Sequence, residues 1–308
     1  MDKRNNGVQQ YYQSIRNRLM NYIKSDYLAN SETLLLYAND ILGESCPDDI
    51  NIAKEPYIET SSSYRKIDDG IKLAEIEDNV KEVLLKLVDA KLGIYSTPFE
   101  HQVKALTNAL VGKDLFVSTG TGSGKTECFL WPIISRAIEE ALNRPDDFRL
   151  PAVRTLIIYP MNALVSDQLA RFRKIMGSEV FKEIFTSSSH AERIPHFGMY
   201  TGRTPYSGES KRQSNIKLAE TYRKQYLIDE FATEEEKQAQ ERKISGFKSI
   251  NKYPARNGGE EGLKTFIENL ENSIHKPGPF DAEYITRFEI QTNTPDILIT
   301  NYSMLEYM

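Results

Sequence analysis

Apolar residues change their spacing along this 308-residue chain. From Val8 they recur at Tyr12, Ile15, Leu19 and Ile23, the three-and-four spacing that makes one face of a helix apolar. The same period predicts helices over "SETLLLYANDILG", closed by Gly43, and over "IKLAEIEDNVKEVLLKLVDAKLG", where Ile76, Val80, Val83, Leu84 and Leu87 share a face. The stretch between them, "ESCPDDINIAKEPYIETSSSYRK", is polar and marked by prolines, so irregular backbone is expected. Residues 1–94 therefore read as a mainly helical N-terminal accessory region, and nothing in it suggests chemistry.

Beyond residue 94 the two periods alternate. In "STPFEHQVKALTNALVGKD", Thr97 suits an N-cap, Pro98 the first helical position and Glu100 the reciprocal place of a capping box, with a stop near Gly112. Strand-favouring "LFVS" then runs into a glycine-rich loop and the amphipathic "CFLWPIISRAIEEAL". "RTLIIYP" reads as a buried strand, "NALVSDQLARFRKIMG" as a helix capped by Asn162 and closed by Gly177, and "HFGMYTG" and "DILIT" as further strands. Such alternation predicts an α/β domain with a parallel sheet over residues 95–308. A charged, helix-favouring stretch at about 204–292 reads as an insertion into it, expected to be partly mobile.

Composition narrows the picture only a little. A hydrophobic share of 40% suffices for real cores, and a net charge of −5 announces no global affinity for nucleic acid, though a local basic groove is compatible with it. Cys46 and Cys128 lie far apart and only four histidines accompany them, which argues against zinc and against a disulfide framework. The N-terminus "MDKRNNGVQQYY" has no apolar signal core and no run has the length of a membrane span, so a soluble, cytoplasmic protein is expected.

The stretch "LFVSTGTGSGKTE", Leu115 to Glu127, carries the chemistry. A strand ending in a glycine-rich turn and reopening as a helix aims several unpaired N–H groups at one point near a positive helix end, which is a cradle for a polyphosphate. Gly120, Gly122 and Gly124 permit the tight backbone. The amides of Thr121, Gly122, Ser123, Gly124, Lys125, Thr126 and Glu127 would surround the phosphates of ATP, Lys125 would reach the β- and γ-phosphates, and Thr126 would hold Mg²⁺. The strict pattern has glycine where this chain has Thr119.

The order "FEHQ", "STGTGSGKTE", "YPMNALVSDQL", "YTGRTP" and "TPDILITNYSMLEYM" resembles the first half of a superfamily 2 helicase motor of the DEAD/DEAH-box type, over residues 95–308 apart from the insertion. The resemblance implies a P-loop, RecA-like domain that binds ATP and Mg²⁺ and acts on nucleic acid. It implies that Gln102 reads the adenine edge and that Phe99 or Tyr95 stacks on the base. It further implies phosphate-backbone contacts from Pro160, Asn162 and Gln168, from Gly202 in the turn "YTGRTP", and from Thr294 with Asn301, the expected cap of a last helix. Arg203 stands where related enzymes often have an acidic residue. Plain alternatives remain beside these roles: a solvated glutamine at 102, and simple helix capping by Asn162 and Thr294. In phrasing the motifs most resemble large bacterial helicases of DNA repair or phage defence, including the DISARM and Druantia type, which implies DNA as the partner.

Hydrolysis in this class needs a Walker B Asp for Mg²⁺, a neighbouring Glu for water and an arginine finger from a second RecA-like domain. The resemblance places these after "TPDILITNYSMLEYM", so the chain is expected to be the N-terminal part of a longer motor, inactive in hydrolysis alone, with apolar sheet edges left uncovered. "YLIDEFA", with Asp229 and Glu230, imitates an acidic strand end but sits before the last motif in charged, helix-favouring text. Two other functions compete: a non-catalytic nucleotide- or nucleic-acid-binding regulator, and a P-loop ATPase unrelated to helicases in which Asp229 and Glu230 are the acid pair.

Overall fold

The computed structural model describes residues 5–43, 52–53, 63–120, 122–205, 212–229 and 231–306. The expectations for Cys46, Thr121 and Glu230 lie outside these residues. The chain divides into two compact units, Met1–Ser63 and Tyr64–Met308.

The first unit is helical, with α1 (Asn5–Ile23) running on through one wider turn at Lys24–Leu28, then α2 (Glu32–Leu36) and α3 (Ala38–Leu42). Ser31 starts α2 by accepting the Leu34 amide, and the buried Arg16 donates to the Leu42 carbonyl. Val8, Ile15 and Leu19 of the expected apolar stripe are exposed.

The second unit opens with α4 (Gly70–Leu73) and α5 (Asp78–Asp89). The single helix expected over residues 71–93 is therefore broken, because Ala74 turns to extended backbone; Ile76 still reaches the core from the link. Residues 64–94, which the sequence pattern groups with the helical region, pack into the α/β core: Val80, Val83, Leu84 and Leu87 of α5 join Trp131, Ile134 and Ile138. Next come α6 (Glu100–Leu110), α7 (Glu127–Asn143), α8 (Pro145–Arg149), β1 (Thr155–Tyr159), α9 (Asn162–Met176), α10 (Glu179–Ser189) and β2 (Phe197–Tyr200). The chain finishes with α11 (Arg212–Tyr226), α12 (Glu234–Ser249), α13 (Glu260–Glu271), β3 (Glu283–Tyr284), α14 (Arg287–Thr292), β4 (Ile297–Asn301) and α15 (Tyr302–Glu306).

Among the described residues the strands form one all-parallel sheet in the order β1-β4-β2-β3, the mixed α/β arrangement of a RecA-like domain. The central β4 is buried at all five positions, beginning with the apolar run Ile297–Ile299. Alternate residues divide between two cores. Ile157, Phe197, Ile297 and Ile299 face the large cluster under α5, α7, α9 and α10, whereas Tyr200, Tyr284 and Leu298 pack against Ile290 of α14. On that second face β1 is bare: Leu156 and Ile158 are 44% and 45% exposed, so the strand expected to be buried is an edge strand with one open side.

A second departure concerns the stretch before the phosphate loop. Residues 113–120 form no strand, and Phe116 is 95% exposed. Propensity alone does not make a strand; it needs a hydrogen-bonded neighbour, and β4 is the neighbour of β1.

The charged stretch at 204–292 is folded over its described residues, 204–205, 212–229 and 231–292. Its helices α11 and α13 enclose a core of Ala219, Leu263, Phe266, Ile267 and Leu270. Its last part, β3 and α14, belongs to the sheet. Two arginines fasten it there: the half-buried Arg173 of α9 forks onto Glu283, with 2.7 and 2.6 Å contacts, and the buried Arg256 donates to the Glu283 carbonyl and to Glu289. The acid pair "YLIDEFA" does not end a strand: Asp229 lies in the link between α11 and α12, where its carboxylate accepts the Phe231 amide.

Candidate nucleotide site and nucleic-acid face

The phosphate loop has the shape of a cradle. Gly122 and Gly124 hold φ of +75° and +73°, the left-handed region that a side chain resists, and a Cβ on Gly124 would lie 2.3 Å from the Gln102 amide nitrogen. Among the described residues, the amides of Gly122 through Glu127 meet no hydrogen-bond acceptor. They stand at the N-terminus of the 17-residue α7, whose dipole adds positive potential. Lys125 Nζ donates to the carbonyls of Thr119 and Gly120, 2.7 Å each, which curls the loop; an ammonium has three donors, so one remains for a phosphate. Thr119, the departure from the strict pattern, has a structural task, since its hydroxyl lies 2.6 Å from that of Ser123. The Thr126 side chain makes no capping bond, which leaves its hydroxyl to join a nucleotide-borne Mg²⁺. Phosphate oxygens and water would supply the other ligands of such an ion. Among the described residues no group of three or more His, Cys, Asp or Glu could hold a metal by itself.

A cleft of about 850 Å³ runs from Gly122, Gly124 and Glu127 to Lys66, Asp89, Lys91, Tyr95, Phe99 and Gln102. Its size suits a nucleotide. Gln102 is 2% exposed, and both ends of its amide are engaged: Oε1 accepts the Phe99 amide at 2.8 Å and Nε2 donates to the Gly124 carbonyl at 3.1 Å. It ties the start of α6 to the loop. The helix starts at Glu100 and not after Thr97, because residues 98–100 pair with residues 65–67 and stay extended for longer. One face of Phe99 stacks on His101, with centroids 5.5 Å apart, while Tyr95 is half-exposed at the cleft, edge-on to Trp131. His101 contacts the Ser123 carbonyl at 2.8 Å, and the Tyr64 hydroxyl accepts the Gly120 amide at 2.6 Å.

Behind the loop Glu127 is buried and paired at 3.2 Å with Arg171 of α9. Burial, and then the charge of Glu127, push the neighbouring Cys128 thiol up to about 11, so this cysteine is a packing residue and not a nucleophile.

The expected nucleic-acid contacts divide. Pro160, Asn162 and Gly202 follow, and Asn301 ends, parallel strands at their carboxyl side, where α/β sheets bind their ligands. Asn301 donates to Asn162 Oδ1 at 2.6 Å and accepts the Met304 amide at 2.7 Å, so it caps α15 as expected. Asn162 caps nothing: Met161 holds the cap position, and the Asn162 side chain is directed to Asn301. The turn after β2 is held by Thr204, which accepts the Thr201 amide and donates to Met199, and it presents Gly202 and Arg203 to solvent. Thr294 is elsewhere. It precedes β4, a strand about 16 Å long, and so lies at the opposite end of the sheet from Asn301. Gln168 is buried midway along α9, with its carbonyl oxygen unpaired.

Residues 99–204 match the family model described as DEAD/DEAH box helicase. The chain is 35% identical over 323 aligned residues to the Druantia protein DruE of Escherichia coli, a match covering 98% of this chain and 17% of that protein. The probable ATP-dependent RNA helicase ddx27 of Dictyostelium discoideum is 41% identical over 105 residues, 32% of this chain and 12% of its own. An uncharacterized ATP-dependent helicase of Methanocaldococcus jannaschii is 39% identical over 92 residues, again 12% of its own length. The chain therefore spans less than a fifth of each of these relatives. No solved structure matches. No helix among the described residues is long and apolar enough to cross a membrane.

The fold thus brings the glycine-rich loop, Gln102 and the aromatic wall together around one cleft, and a second set of polar groups together at the strand ends. Sequence reasoning missed Tyr64, His101 and Arg171. Tyr64 gave no signal, since it sits in the polar, proline-marked stretch; the buried Glu127 directly after the loop could have suggested a cationic partner such as Arg171.

Proposed function

We propose that this chain supplies the Mg·ATP-binding part of an ATP-dependent DNA helicase or translocase of the kind found in bacterial phage defence. The observation that carries the reading is the set of acceptor-free amides from Gly122 to Glu127 at the head of α7, opening on a nucleotide-sized cleft. Lys125 and Thr126 would hold the β- and γ-phosphates and Mg²⁺, Gln102 would brace the loop, and Tyr95 is the more open of the two aromatics for the base. DNA would lie across Pro160, Asn162, Gly202, Arg203 and Asn301. DNA is preferred to RNA because the match along nearly the whole chain is to a Druantia protein, whereas the match to the named RNA helicase ddx27 covers about a third of it. Without a carboxylate cluster for the metal among the described residues, this chain should bind nucleotide and hydrolyse it near background.

Titration of the 308-residue chain with labelled ATP tests the nucleotide part. Lys125→Ala should weaken binding about tenfold or more, and equal affinities would remove the loop from the argument. In parallel, Arg203→Ala should weaken DNA binding and lower its salt slope by about one ion. Tighter binding of RNA than of DNA by the unmodified chain would overturn the choice of nucleic acid.

A further inference from the structure

The segment just before α4 does more than cover α6. Ile67 donates to the Pro98 carbonyl at 2.8 Å, Glu100 donates to the Arg65 carbonyl at 2.9 Å, and Lys66 bridges Phe99 in antiparallel register. This ladder fixes Tyr64 over the phosphate loop. Its hydroxyl takes the Gly120 amide at 2.6 Å, and its ring stands edge-on to both Phe99 and His101, with centroids 5.9 and 5.2 Å away. A Cβ on Gly120 would come within 2.9 Å of that hydroxyl, so the loop and the phenol are closely fitted. The same residues are held from other sides: Lys125 grips the Gly120 carbonyl, and His101 grips that of Ser123.

We propose that Tyr64 is a positioning residue for the nucleotide phosphates, a latch that holds the first turn of the loop in the shape that points the amides of Gly122 to Glu127 inward. The inference rests on the nucleotide reading given above. A glycine-rich loop has many conformations, and each fixed point lowers the entropy lost when the phosphates bind. The phenol accepts one bond from Gly120, and its own proton remains as a further donor beside the cradle. Tyr64 would therefore act on the phosphates and leave recognition of the base to the wall formed by Tyr95 and Phe99.

The test compares adenosine, ADP and ATP on the full 308-residue chain, by titration of the unmodified protein, Tyr64→Phe and Lys125→Ala. Phenylalanine keeps the ring contacts with Phe99 and His101 and loses only the hydroxyl. Tyr64→Phe should weaken ADP and ATP about three- to tenfold, the range for one lost hydrogen bond, and leave adenosine affinity and the thermal midpoint without nucleotide unchanged. Unchanged ADP and ATP binding in Tyr64→Phe, with the Lys125→Ala loss present, would overturn the latch and leave the nucleotide site standing. An equal loss for adenosine and ATP would overturn it too, by showing that Tyr64 only supports the aromatic wall. Failure of the unmodified chain to bind any nucleotide would overturn both this inference and the reading beneath it.

Discussion

Replacing Asp296 by asparagine should cost this protein about 3 kcal/mol of stability, and the reason lies at the amino end of β4. The carboxylate is 1% exposed and accepts Arg193 through both terminal nitrogens at 2.6 and 2.8 Å, Arg154 at 2.7 Å and the His196 amide at 2.7 Å. Asparagine keeps the shape, removes the charge and turns one acceptor into a donor facing guanidinium donors. Arg154 still has Glu140 at 2.6 Å, so its loss is partial. Among the described residues Arg193 has no second carboxylate within ion-pair distance; it keeps the Phe148 and Ile194 carbonyls and the Phe148 ring at 4.2 Å. Breaking a buried pair by removing one partner costs about 3–5 kcal/mol, and those residual contacts place Asp296→Asn near the lower end. The measurement is urea unfolding followed by the fluorescence of Trp131, the sole tryptophan of the chain, which is fully buried in the core beneath the sheet. A shift below about 1 kcal/mol with an unchanged slope would refute the claim that this cluster organises the end of the sheet.

Two further outcomes follow from burial. Phe116→Ser should change stability by less than about 0.5 kcal/mol in the same urea experiment, because the ring is 95% exposed; a loss above about 1 kcal/mol would mean that the segment before the loop packs against something. His196 is buried with its Nδ1 on the Asp281 carbonyl, and burial holds its pKa below the ordinary value. The unfolded chain then takes up a proton that the folded chain refuses, so the contribution of His196 is intact above about pH 6.5 and falls as pH drops below it. His196→Gln should flatten the dependence of the urea midpoint between about pH 7.5 and 5.5, and parallel profiles for the two proteins would contradict this.

What was legible in the sequence was whatever depends on near neighbours. The apolar run Ile297–Ile299 of β4, the glycine that closes α9, the glycines of the phosphate loop and the cap at Asn301 all appear as the patterns require. What depends on distant partners was not. The residues before the loop favour a strand and form none, because no strand among the described residues lies beside them; Asn162 occurs at a helix start, yet Asn301, 139 residues away, claims its side chain. Thr294 precedes β4 and lies at the end of the sheet away from Asn301. The short β3 could not be seen, since two residues carry no period and its place depends on Arg173 and Arg256 closing around Glu283.

That small strand also gives the sheet a direction for self-association. At the β3 border the ladder is two residues long and carries an inward-turned carboxylate clasped by Arg173, with Arg256 on the Glu283 backbone carbonyl, a poor template for an incoming chain. At the β1 border lie five residues with no partner on their outer side among the described residues, flanked by bare Leu156 and Ile158. Aggregates of this protein should therefore add copies from the β1 side alone, and a lysine at Leu156 or Ile158 is where a soluble variant would begin.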